Sequence, residues 1–109
     1  MSQHEQIEQE LAKAAIGLRE GNDGLARVCA RRAVGVGAQA WVKRNRREAL
    51  AQDAMSQLRM IHQEETFPLD IREAAQRLLS NVTEQGQTLV STDPIADARL
   101  ILAHLEQLS

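Results

Sequence analysis

Apolar residues recur along this chain at helical spacing. Ile7, Leu11, Ala14, Ala15 and Leu18 form one stripe on a helical period, which predicts a first helix from Gln3 to about Glu20. Gly21 stands where a left-handed C-terminal cap is wanted, and Asn22 and Asp23 can cap the next helix. That second helix is expected from about Gly24 to Lys43. The short connection favours an antiparallel helical hairpin. Arg44 to Glu48 reads as a charged link or a frayed end. A shorter third helix is expected over about Ala51 to Glu64, with Ala54, Met55, Leu58 and Ile61 inward. Pro68 breaks the chain. A fourth helix is expected from Leu69 to about Thr83, with Ile71, Ala74, Ala75, Leu78, Leu79 and Val82 on one face. A loop surrounds Gly86. Asp93 and Pro94 then form a strong helix start, and a fifth helix runs to about Gln107, with Ile95, Ala98, Ile101, Leu102 and Leu105 inward. The expected fold is all-α: an up-and-down four-helix bundle with one additional short helix, five helices in one domain spanning residues 1–109.

Composition agrees. The chain has 109 residues, enough for one domain with a real core. Ala, Leu, Gln, Glu and Arg dominate, and these favour helix. Trp41 and Phe67 are the only aromatic residues of the Phe, Trp and Tyr set, so strand formers are thin. Cys29 is the only cysteine, which excludes an internal disulfide and points to a reducing compartment. The sequence has no apolar run of ~18 residues for a membrane span. Its first residues lack a basic segment followed by an apolar one, so no secretory signal is read there. A cytoplasmic protein is expected.

The second helix is unlike the others. On a helical wheel, Leu25, Cys29, Ala33, Val36 and Ala40 share one side. Ala30, Val34, Gly37, Ala38 and Trp41 share roughly the opposite side, with Arg27 and Arg31 on its flank. A helix apolar on two sides must be covered on two sides. The second cover is either another helix of the same bundle or a second copy of the protein, so a homodimer is expected. Gly35 and Gly37 each cost about 1 kcal/mol relative to Ala inside a helix, which calls for a compensating close approach. Cys29 reads as a small buried hydrophobe.

Charge is asymmetric along the chain. Net charge is −2, yet seven of the 13 Lys and Arg residues fall between Arg27 and Arg47, a stretch without an acidic residue. Such a block either attracts an anionic partner or docks on an acidic face of the same protein. Arg27, Arg31, Arg32, Arg44, Arg46 and Arg47 are the candidate binding residues. No aromatic residue is interleaved among Arg44, Arg46 and Arg47 to stack on bases. His4, His62 and His104 are far apart and have no companion at ligand spacing, so no metal site and no cofactor is expected.

Residues 11–42, LAKAAIGLREGNDGLARVCARRAVGVGAQAWV, resemble the first helical hairpin of the HEPN superfamily. That hairpin has a leading helix, a Gly-Asn or Gly-Asp turn and an alanine-rich helix of the form A-x-x-x-A-R-R-A-x-x-x-A. The segments PLDIREAAQRLLSNV and DPIADARLILAHL are compatible with the later helices of such a bundle. The resemblance implies an all-α bundle, often homodimeric, sometimes paired with a small nucleotidyltransferase as a toxin–antitoxin system. Active members carry an R-x(4–6)-H motif near the end of the bundle. Arg99 to His104 is an R-x4-H in that place, although Leu100 follows the Arg where active members usually have a polar residue. The resemblance implies that such a pair, doubled by dimerisation, acts on RNA without a metal. His can exchange a proton near neutral pH, and Arg can bind the phosphate. An i, i+5 pair lies about 140° apart around a straight helix, so one subunit does not bring the two together.

Three functions are expected from these features. The first is a non-catalytic HEPN-like binding or accessory module whose basic second helix faces a protein, nucleotide or RNA partner. The second is a metal-independent ribonuclease using Arg99 and His104. The third is a purely structural interaction protein.

Overall fold

A computed structural model describes residues 2–44, 53–80 and 93–108. It contains helices α1 (Gln3–Arg19), α2 (Asp23–Arg44), α3 (Ala54–Gln63), α4 (Leu69–Leu79) and α5 (Pro94–Gln107), with no strand among the described residues. The protein is all-α.

The helix ends follow local chemistry. The Ser2 hydroxyl accepts from the Glu5 amide and starts α1. Gly21, with φ 73°, turns the chain in the left-handed region after α1. The Asn22 side chain then accepts from the Leu25 amide at 3.0 Å and opens α2. Asp53 and Asp93 cap α3 and α5 in the same way, through the amides of Ser56 and Ala96. Two ends differ from those expected. Helix α3 begins at Ala54, because Asp53 is extended and serves as its cap; Ala51 lies outside the described residues. Helix α4 ends at Leu79, not Thr83, which also lies outside them. There the Ser80 amide and hydroxyl both donate to the Gln76 carbonyl, at 3.2 and 3.0 Å, and the backbone turns extended at Ser80 itself.

Helix α2 is the middle of the fold, packed against α1, α3 and α5. Contacts near Gly17–Ala26 at one end and Ile7–Gly37 at the other show that α1 and α2 run antiparallel. Helix α5 runs parallel to α2. Ile95 packs on the Ala26–Cys29 end, Leu102 faces Gly37, and the Leu105 carbonyl accepts from Arg44. Helix α4 opposes α5: Phe67, just before α4, meets His104, while Arg77 near the end of α4 meets Asp97 near the start of α5.

Of the two covers the wheel allows for the second side of α2, another helix of the same bundle is the one observed. Ala30, Val34, Ala38 and Trp41 are buried inside this one subunit, Trp41 at 3 % exposure. The side with Cys29 and Ala33 is buried only in part, since Leu25 is exposed and Val36 and Ala40 are half-buried beside α1. The glycines admit close neighbours. A Cβ on Gly37 would run into Leu102 of α5, and one on Gly35 would lie 2.9 Å from Oε1 of Gln57 in α3. The core joins Trp41 to Phe67 at 5.4 Å between ring centroids, with Leu58, Ile61, Leu78 and Ile101 around them.

Candidate functional site

The candidate binding arginines of α2 have divided roles. Arg31 is half-buried, and its Nε donates to the Leu78 carbonyl at 2.6 Å. One of its terminal nitrogens reaches the Ser80 carbonyl at 3.5 Å. A cation at the C-terminal end of α4 satisfies carbonyls that have no partner within the helix and complements its dipole. Burial, and then the neighbouring charge of Arg27, push the Arg31 guanidinium below its ordinary value. Arg27, one turn earlier, is half-buried, and its Nε has no hydrogen-bond partner among the described residues. Arg32 is exposed. Arg44 donates to the Leu105 carbonyl at 3.1 Å, at the end of α5. Arg46 and Arg47 lie outside the described residues.

Arginine serves helix ends elsewhere too. Arg72 Nε donates to the His62 carbonyl at 3.2 Å, at the end of α3. Arg77 instead grips Asp97. Its Nε lies 3.3 and 3.2 Å from the two carboxylate oxygens, and a terminal nitrogen lies 2.8 Å from Oδ1. This contact raises the Arg77 value above the ordinary one, chiefly through the hydrogen bonds to Asp97. Asp97 is 9 % exposed and Arg77 about a third exposed, so the pair ties α4 to α5 at the edge of the core.

The R-x4-H residues face different neighbours. Arg99 is exposed and donates from both terminal nitrogens to the Glu8 carboxylate of α1, each at 3.3 Å. That bond is the main reason the Glu8 carboxyl sits below its usual range. His104 is half-buried, stands edge-on to Phe67 at 5.5 Å, and keeps Nε2 buried without a hydrogen-bond partner among the described residues. A general acid–base needs its proton within reach of substrate. In one subunit, Arg99 and His104 do not converge on such a point.

Other chemistry is sparse. Cys29 is buried, and desolvation, with the Glu10 carboxylate adding to it, pushes its thiol up. The described residues hold no group of three His, Cys, Asp or Glu side chains that could bind a metal. None of the described helices is long and apolar enough to cross a membrane.

Surface depressions among the described residues include three that could hold a ligand. An open depression of about 650 Å³ beside α3 is lined by Ser56, Arg59, Met60, Gln63, Glu64, Glu65 and Thr66. A groove of about 420 Å³ lies between the start of α1 and the end of α2, lined by Gln3, Gln6, Val36, Gln39, Ala40 and Lys43. A cavity of about 90 Å³ adjoins it, with Gly37, Leu102 and Leu105 among its walls.

Some of these residues carry no obvious mark in the sequence. Glu8 and Asp97 stand out only as partners of distant arginines. Gln57 sits among inward-facing residues of α3 and is 2 % exposed, with Oε1 unpaired among the described residues. The polar groove residues have regular spacings, Gln3 with Gln6 and Gln39 with Lys43, but only the hairpin register brings the two pairs to one groove. Comparison of the chain with protein-family models, with curated proteins and with solved structures finds no match.

Proposed function

We propose that this protein is a non-catalytic, HEPN-like binding or accessory module, an up-and-down four-helix bundle with one additional short helix. Its basic second helix faces a nucleotide or RNA partner, or a nucleotidyltransferase-type protein. The observation that supports the non-catalytic reading is that Arg99 and His104 are each already engaged within the subunit. One is tied to Glu8 on α1 and the other is packed on Phe67. Nothing in a single subunit aligns them on a common phosphate.

The proposal includes a homodimer, on a surface other than the Val34–Trp41 side of α2. The Val34–Trp41 side of α2 is covered within the subunit, so a second copy would have to use exposed apolar residues such as Leu25 and Val28. Light scattering at micromolar concentration reads this directly, and a monomer removes the homodimer from the proposal.

The test of the main reading is incubation of purified protein with single-stranded RNA in the presence of a chelator. RNA stays whole under the non-catalytic reading. Cleavage that persists without divalent metal, and disappears in a folded His104→Ala variant, would establish the ribonuclease instead.

A further inference from the structure

Among the described residues, the groove between α1 and α2 combines an open floor with polar and cationic side chains. Val36, Gln39, Ala40 and Lys43 stand at i, i+3, i+4 and i+7, so they form one strip along α2. Val36 and Ala40 are half-buried and make the floor, their small size leaving the groove open. Gln39 and Lys43 form one wall, and Gln3 and Gln6 of α1 form the other. The Gln3 amide donates to the Val36 carbonyl at 3.4 Å, which orients its side chain across the floor.

The chemistry of this lining is one-sided. Three amides offer both donors and acceptors, and Lys43 adds an ammonium; no carboxylate lines the groove. The depression beside α3 differs, because Glu64 and Glu65 line it and repel anions. Of the arginines nearer the middle of α2, Arg31 already holds the end of α4. Lys43 makes no ion pair with any described residue, and Arg44 stands next to it at the end of the same helix. At about 420 Å³ the groove falls within the usual range of ligand sites, roughly 300–1,000 Å³, and is of a size for one nucleotide unit.

We infer that this groove seats one nucleotide of a single-stranded RNA, with the Gln3, Gln6 and Gln39 amides on the base edge and the Lys43 ammonium on the phosphate. Amides pair with base edges because they present a donor and an acceptor side by side, and unstacked single strands expose those edges. An ammonium contact to phosphate makes the binding salt-dependent. The inference rests on the proposed binding role and locates it at the α1–α2 groove, away from Arg27 and Arg31.

The experiment is fluorescence anisotropy with a labelled oligoadenylate of about six nucleotides at low salt, roughly 50 mM, with the same samples run on a denaturing gel. Wild-type protein binds, and binding weakens as salt rises. Lys43→Glu weakens it about tenfold and Gln39→Leu severalfold, whereas Lys43→Arg restores most of the affinity. Circular dichroism confirms that each variant keeps its helix content. No binding by the wild type overturns the inference, as does equal affinity in wild type and Lys43→Glu. Loss in Arg32→Glu with none in Lys43→Glu overturns the groove while leaving the binding role of α2 standing. Displacement of the RNA by oligoglutamate at matched charge assigns the groove to acidic peptides and overturns the nucleotide assignment. Cut RNA on the gel overturns the non-catalytic reading separately.

Discussion

The two halves of helix α2 carry similar charge and use it differently. In the first half, Arg31 is turned inward onto the carbonyls of Leu78 and Ser80, where it closes α4. In the second half, Lys43 is turned outward beside a groove, while Trp41, two residues before it, is sealed in the core. A block of basic residues is therefore not one surface. Each cation goes where its position on the wheel meets either an exposed helix end or open water. The count of arginines says how much charge is present, and the neighbours decide how much of it a partner can reach.

That contrast can be broken most forcefully at Trp41. Trp41→Ala is expected to destabilise the fold by about 3–5 kcal/mol, because a large buried ring packed on Phe67 is lost. Lys43→Ala, one half-turn away, should change stability by less than about 0.5 kcal/mol. Urea denaturation of both variants reads the difference. Comparable losses at the two positions would show that the outward strip is structural after all.

The first half of α2 gives the next largest effect. Arg31→Ala removes a charged donor from two carbonyls and should cost about 1.5–3 kcal/mol. Arg32→Ala, at its exposed neighbour, should fall within about 0.5 kcal/mol of wild type. Equal melting temperatures for the two variants would mean that Arg31 does not hold α4.

Gln57 sharpens the comparison from the opposite wall. Its Oε1 is buried against Gly35, at the middle of α2, with no described partner. Gln57→Met keeps the length and removes the unsatisfied acceptor, so stability should rise by about 1 kcal/mol. A drop in thermal midpoint would show that the amide has a polar role in the core.

The smallest effect concerns the pair outside α2. The Glu8 carboxyl lies below its ordinary value because Arg99 hydrogen-bonds it. A depressed carboxylate contributes stability above the unfolded-state value, and that contribution fades as pH falls through the folded-state value. For so exposed a pair, the stability lost on acidification should be only about a few tenths of a kcal/mol, and Glu8→Gln should abolish that part. An unchanged acid limb of the stability–pH curve in Glu8→Gln would show that the pair contributes nothing.

Much of the fold can be read from the chain because helix signals are local. The stripe Ile7–Leu18, the Gly21 turn, the Asn22 cap and the Asp93–Pro94 start depend on residues only a few positions apart. The end of α4 is less legible. The hydrophobic pattern continues to Val82, but the backbone turns extended at Ser80, where Arg31 from distant α2 meets the Leu78 and Ser80 carbonyls. The candidate site is less legible still. Arg31 and Arg32 are adjacent in sequence, and nothing local tells which one turns inward.

From its own order of residues this protein determined that it is helical, where most of its helices begin, and that α2 must be covered on more than one side. Only the tertiary structure decided that the cover comes from within the subunit, that Arg31, Arg44 and Arg72 close helix ends, and that glutamines from two helices face each other across a groove. The reason is distance along the chain. Caps and apolar periods act over a turn or two, whereas Arg31 with Leu78, Arg77 with Asp97 and Glu8 with Arg99 meet only once the helices have packed.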